Sequence, residues 1–189
     1  MQPGNTAALT RRRLGGAVSL LAGIAIAAVV LWPSGDDRES KRLPVRIVSV
    51  PPLGLGFAHP RNWKRTVSGQ VIRLTSPDGT LILLFSSPFD RPGTEFAKSE
   101  AKEALLKRFA PAKIVRDRRS PLGRAGRVPS FELTGERGDR LVRALVHVGS
   151  SRWRTYVITM LTGENPSRRR VTEARRILAT VSFSKPRKI

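Results

Sequence analysis

The stretch Leu14–Trp32 carries no charged side chain, and polar residues do not recur in it at the three- to four-residue spacing of a soluble helix. As a helix rising ~1.5 Å per residue it spans roughly 28 Å, close to the ~30 Å hydrocarbon core of a bilayer. Arg11, Arg12 and Arg13 abut one end, and Trp32 sits at the other, where an amphipathic ring suits the interface. The run therefore reads as membrane-targeting. It divides the chain into a basic tail (1–13), a transmembrane anchor or signal segment (14–32), a linker (33–42) and a domain (43–189).

Two readings of the run compete. Ala25-Ile26-Ala27 offers the small-x-small pattern that signal peptidase cleaves. The apolar run continues past it through Ala28-Val29-Val30-Leu31-Trp32, where a signal peptide would turn polar, so an uncleaved anchor is the favoured reading. Thr10–Leu14 also resembles a twin-arginine export signal, although a plain positive flank explains it equally well. The arginines next to the run place the N-terminus inside and the bulk of the chain outside the cytoplasm. Gly15, Ser19, Gly23 and Ala27 recur every four residues. Small residues at that spacing let two membrane helices approach, so this face is a candidate for weak homodimerisation.

"PSGDDRESKR" (33–42) has no apolar residue beyond its proline and reads as a flexible linker. The remaining length suits one domain with a real core. The chain has no cysteine, which excludes a disulfide framework and a lipidated cysteine. Residues 1–42 hold six basic and three acidic side chains, leaving 29 and 11 for the domain, a net charge of +18. Arginine-favouring codon usage is one explanation. An anionic partner is the other: lipid headgroups, a cell-wall polyanion or nucleic acid.

Within the domain, 44–50 and 55–63 read as strands, the second broken at Pro60. Segments 70–76 and 80–87 flank the turn sequence Pro77-Asp78-Gly79 and form a hairpin. Residues 94–110 read as a helix capped by Thr94, with Phe96, Ala101, Ala104, Leu105 and Phe109 as its apolar stripe. Strands follow at 113–118, 129–136, 140–149 and 153–162. A last helix over 165–181 has an Asn165 cap, Pro166 in its first position and a buried face of Val171, Ala174, Ile177, Leu178 and Val181. In "YVITML" (156–161), Tyr156, Ile158 and Met160 lie on one face and Val157 and Leu161 on the other. A strand apolar on both sides must be covered on both sides. Hairpin connections make the sheet antiparallel. The expected architecture is α+β: an α/β/α sandwich with a central antiparallel sheet flanked by helices, preceded by one N-terminal transmembrane helix.

Several short motifs fall in a suggestive order. They are Phe57 and Pro60-Arg61-Asn62-Trp63 after the first strand, Gly126 before "PSFELTG", Tyr156-Val157-Ile158-Thr159, and Val181-Ser182-Phe183 after the last helix. Over residues 54–184 the chain resembles the PsbP-like superfamily. That group includes an extrinsic photosystem protein, a eukaryotic Ran-binding factor and bacterial exported or lipid-anchored proteins. It departs from the pattern at Gly56 and His59, where larger apolar residues are common. The resemblance implies a module that binds or helps assemble other molecules, and it supplies no catalytic motif.

The residues themselves point the same way. His59 and His147 are the only histidines, and no set of three metal ligands, nucleophile elbow or phosphate-binding glycine loop is evident. His147 reads as structural. "RGD" (137–139) reads as a hairpin turn rather than an adhesion motif, with Gly138 supplying positive φ. Trp63 and Trp153 read as core sooner than as a ligand groove. Arg168, Arg169, Arg170, Arg175 and Arg176 avoid the buried stripe of the last helix. Three of them fall in its first turn, where the helix dipole disfavours cations by ~0.3–1 kcal/mol each. They form a candidate anion-binding surface. Without an aromatic residue in that helix, nucleic acid is the weaker partner. The expectation is a non-enzymatic, cofactor-free, single-pass membrane protein that presents an extracytoplasmic binding or assembly module. The alternative is a basic protein for cell-wall polymer, lipid headgroups or nucleic acid.

Overall fold

The computed structural model describes residues 44–90 and 93–187. The tail, the segment 14–32 with its Gly15, Ser19, Gly23 and Ala27 face, and the linker lie outside the described residues. Among the described residues, no helix is long and apolar enough to cross a membrane.

The strands are β1 (Val45–Val50), β2 (Leu55–Pro60), β3 (Lys64–Ser68), β4 (Val71–Thr75), β5 (Leu81–Phe89), β6 (Ala112–Pro121), β7 (Arg127–Arg137), β8 (Arg140–Ser150), β9 (Thr155–Thr162) and β10 (Ser182–Phe183). The helices are α1 (Thr94–Arg108) and α2 (Arg168–Ala179). Strands β3-β4-β5-β9-β8-β7-β6 form an antiparallel seven-stranded sheet. Strands β1-β2-β10 form a separate antiparallel sheet of three.

The two-sided strands behave as their sequences require. Tyr156, Ile158 and Met160 of β9 join Leu81, Leu83 and Phe85 of β5 in one core. Val157 joins Phe131, Leu133 and Val146 in the other, under α1. The cover on the first face differs from expectation. It is α2 together with the three-stranded sheet, not a helix alone. Strand β2 turns Leu55, Phe57 and His59 inward, and Phe57 stacks on Phe85 with ring centroids 4.4 Å apart. Phe183 of β10 stacks on Tyr156 at 4.1 Å, and the Tyr156 hydroxyl donates to the Leu53 carbonyl at 2.8 Å. Each such ring contributes about 1.5–3 kcal/mol by leaving water.

Gly56 and Gly149 make that layer fit. A Cβ on Gly56 would lie 2.9 Å from Ser182 Oγ, and one on Gly149 would lie 2.7 Å from the Phe183 ring. The small residue at 56, where the PsbP-like pattern is larger, is the seat of β10.

Both turn readings hold. Asp78 Oδ1 accepts from Ser76 Oγ, Thr80 N and Thr80 Oγ1 at 2.6–3.1 Å, and Gly79 has φ 71°. Gly138 has φ 63° in the two-residue turn between Arg137 and Arg140, so the RGD sequence is a hairpin corner.

The helix boundaries shift. Helix α1 is preceded by Gly93 as cap, with Thr94 already inside it. Its buried residues are Ala97 and Ala101, and Phe96 is 57% exposed. Small residues at i and i+4 let the helix lie close on the sheet, and a phenylalanine in that row would hold it off. Helix α2 starts at Arg168 after Ser167, two residues later than Asn165 and Pro166 suggested.

Candidate functional site

Three places on the domain gather the residues that the sequence singles out. The first joins the Trp63 motif, the 77–79 turn and the start of α2. Trp63 is buried, and its Nε1 donates to Glu173 Oε2 at 3.0 Å. Arg170 lies between two carboxylates: Nη1 is 2.9 Å from Glu173 Oε2, and Nε donates to Asp78 Oδ2 at 2.9 Å. Arg169 Nε adds a bond to Glu173 Oε1 at 3.2 Å. Burial pushes the Glu173 carboxyl up, but donation from Trp63, Arg170 and Arg169 outweighs it and holds the group below its ordinary range. Burial likewise opposes the Asp78 charge, and bonds from Ser76, Arg170 and Thr80 still hold its pKa at about 2.

This network redistributes the five arginines of α2. Arg170 is committed to Asp78 and Glu173, and Arg169 to Glu173. Arg168, Arg175 and Arg176 are exposed. Two of the cations in the first turn thus balance the buried Glu173 and the half-buried Asp78, so they are not an open row of positive charge. The residue that sequence reasoning missed is Glu173. It is the lone acid among residues 165–181 and stands three and four positions after Arg170 and Arg169, a spacing at which helix side chains meet.

The second place is the half of the large sheet that the small sheet and α2 leave open. Register puts Lys113, Thr134, Arg143 and Thr162 in one cross-strand row, and Arg116, Glu132, Leu145 and Met160 in the next. These residues share the face of Ile158 and Tyr156, but here Lys113, Arg116, Arg118 and Arg143 are exposed. Leu141 and Leu145 alternate with Arg143 along β8 and are half-buried. Arg118 pairs with Glu132 at 3.4 Å. A cavity of about 340 Å³, lined in part by Lys113, Thr134, Glu136 and Leu141, opens at the end of this surface. The result is a basic sheet face with an apolar stripe, built from strands that hydrogen bonding fixes in register.

The third place is the two histidines, both buried. His147 Nδ1 lies 3.0 Å from Ser120 Oγ, which donates to Ser130 Oγ at 2.8 Å, which donates in turn to the Arg118 carbonyl at 2.7 Å. The serine hydrogens are therefore spent along the chain, and Ser120 can only accept from His147. The contact is a donor imidazole on a buried hydroxyl, the reverse of a base activating a nucleophile. Burial lowers the His147 pKa to about 4. Trp153 is half-buried, with the Arg152 guanidinium 5.6 Å from its ring. Among the described residues no three histidine or carboxylate groups converge as metal ligands.

No family model matches the chain, and no curated protein matches it. Among solved structures it is similar to a crystal structure from Bacteroides thetaiotaomicron, with 14% identity and a TM-score of 0.49 over 78% of this chain. The chain spans 50% of the length of that protein. It is also similar to the solution structure of the cyanobacterial PsbP (CyanoP) of Synechocystis sp., with 15% identity and a TM-score of 0.47, over 79% of this chain and 98% of the other.

Proposed function

We propose that this is a non-catalytic, membrane-anchored extracytoplasmic module of PsbP-like type, which binds or helps assemble a partner carrying acidic residues. The observation that carries the binding reading is the open basic half of the sheet. Lys113, Arg116, Arg118 and Arg143 stand around Leu141 and Leu145 on a face that the described residues leave uncovered. Cations around leucines suit an acidic polypeptide, whose side chains use both. The order of the Pro60–Trp63, Tyr156–Thr159 and Val181–Phe183 motifs supports the PsbP-like reading, and Leu14–Trp32 supports the anchor. The second reading is a polyanion-binding protein for cell-wall polymer or lipid headgroups. The exposed Arg168, Arg175 and Arg176 favour it, since each basic residue near an anionic membrane contributes ~1 kcal/mol.

Two experiments test the proposal. N-terminal sequencing of the protein purified from membranes should read from the start of the chain, and a mature form beginning at Ala28 would remove the anchor. Full-length protein in uncharged nanodiscs should bind polyglutamate in a salt-dependent way and bind anionic vesicles weakly. The opposite preference would favour the second reading.

A further inference from the structure

We propose that the layer formed by β1, β2 and β10 is an acid-released latch on the large sheet, closed at neutral pH by the neutral state of His59 and His147. The two sheets share no hydrogen-bonded ladder, so the layer can lift without breaking a strand pairing. Its strands come from the two ends of the domain sequence, and the large sheet keeps its own connections. What holds it is side-chain packing, Phe57 on Phe85 and Phe183 on Tyr156, with a few single hydrogen bonds: the Tyr156 hydroxyl on the Leu53 carbonyl, Ala58 N–H on the Thr180 hydroxyl, and Arg124 N–H on the Val181 carbonyl beside β10.

One histidine belongs to the layer and the other borders the core that the layer joins. His59 projects from β2 with Leu55 and Phe57 toward the large sheet. His147 is buried on β8 beside Ser130 and beside Ile158, which shares a core with Leu55 and Phe57 of the layer.

Proton counting fixes both tautomers. His59 Nδ1 is 2.8 Å from the Pro60 carbonyl, which can only accept, so Nδ1 carries the hydrogen. His147 Nδ1 donates to Ser120, whose own hydrogen goes to Ser130. In each ring Nε2 is then the bare nitrogen, buried and without a hydrogen-bond partner among the described residues. A proton arriving at Nε2 creates a charged donor facing no acceptor, in a core of phenylalanine, tyrosine and aliphatic side chains.

The surroundings offer little compensation: burial lowers the basicity of His59, and the Pro60 carbonyl on its Nδ1 offsets this only in part. The charged groups acting on His59 are Arg46 of β1 and Arg65 of β3, and both oppose protonation. Around His147, Ser120 of β6 and Ser130 of β7 are already paired, and burial is what lowers its basicity. An opened layer hydrates both rings. The open form therefore takes up protons that the closed form refuses, and acid favours opening.

Hydrogen exchange by mass spectrometry on the full-length chain, corrected for intrinsic rates, tests this at about pH 7.5 and about pH 5. With His147 at about 4 when closed and near 6.5 when open, its protonation alone predicts about 30-fold more opening at the lower pH. Amides of residues 45–60 and 182–183 should lose protection by at least that factor, while those of β7, β8 and β9 change less. The double variant His59→Phe, His147→Phe should abolish the difference. Imidazole resonances of the unmodified chain give an independent readout and should titrate well below pH 6.5, together with the opening. Equal loss of protection in both sheets would overturn the latch. So would imidazoles titrating near 6.5 with the layer still protected, or an acid response unchanged in the double variant.

Discussion

At the scale of single residues, the domain is fixed by polar groups that the hydrophobic pattern does not announce. Trp63 was legible as core from its place in the sequence, but its acceptor was not. Glu173 lies 110 positions away and reads, in isolation, as one more exposed helix acid. Arg170 is held between Asp78 and Glu173 with its side chain 15% exposed, so replacing it strands the buried Glu173 carboxylate and the half-buried Asp78 carboxylate. Arg170→Met should cost about 3 kcal/mol in urea unfolding. Trp63→Phe keeps a six-membered aromatic ring but loses the buried pyrrole half of the indole and its donor to a charged group, at a cost of at least about 1.5–3 kcal/mol.

The titrating groups act in two separate pH windows. His147 is lowered in the folded state, so its contribution is complete above about pH 6.5 and declines as the pH falls toward about 4. Unfolding free energy should drop by up to about 1.4 kcal/mol per pH unit in that window, more where His59 adds to it. Asp78 acts lower. Its contribution is present above the ordinary carboxylate pKa and is lost as pH falls through about 2. Wild type and His147→Phe compared by thermal melts across this range separate the two windows, and the variant should lose the His147 share of the upper slope while keeping the lower one.

At the scale of elements, the sequence spoke clearly where both faces of a strand are apolar and poorly where a strand is paired but bare. The β4–β5 and β7–β8 hairpins follow from Asp78-Gly79 and Gly138 in their turns. Strand β3 has one apolar residue in "KRTVS" and every side chain exposed, so no periodicity marks it, and pairing with β4 alone defines it. The separate small sheet was invisible for a related reason. Strands 45–50 and 55–60 carry the same signal whether they join the main sheet or cover it. What decides the matter is Gly56 and Gly149, which open room for Ser182 and Phe183. Gly149→Ala should push Phe183 off Tyr156 and cost about 1–3 kcal/mol. The loss should appear as faster exchange in β2 and β10 before β7 or β8 is affected.

At the scale of the whole molecule, a net charge of +18 on the domain is not spread evenly. Part of it is spent internally, by Arg169 and Arg170 on Glu173 and Asp78, and by Lys98 and Lys102 on Asp117. Two groups of outward charge lie on elements that the helix pattern or the strand register singles out, the β6–β8 face around Leu141 and Leu145 and the exposed side of α2, while others such as Arg61, Lys64, Arg65 and Arg124 are scattered over the rest of the surface. The helix was legible in sequence because its arginines stand outside a clean apolar stripe. The sheet face was not, because Lys113, Arg116 and Arg143 come together only through strand register. The most direct test is affinity for polyglutamate in full-length protein held in uncharged nanodiscs, comparing Arg116→Glu, Arg143→Glu with Arg175→Glu, Arg176→Glu. All four side chains are exposed, so folding should change by no more than about 0.5 kcal/mol per substitution. The sheet variant should bind at least about tenfold more weakly, a change of about 1.4 kcal/mol, while the helix variant keeps most of its affinity. Full binding by the sheet variant, with loss in the helix variant alone, would contradict the account.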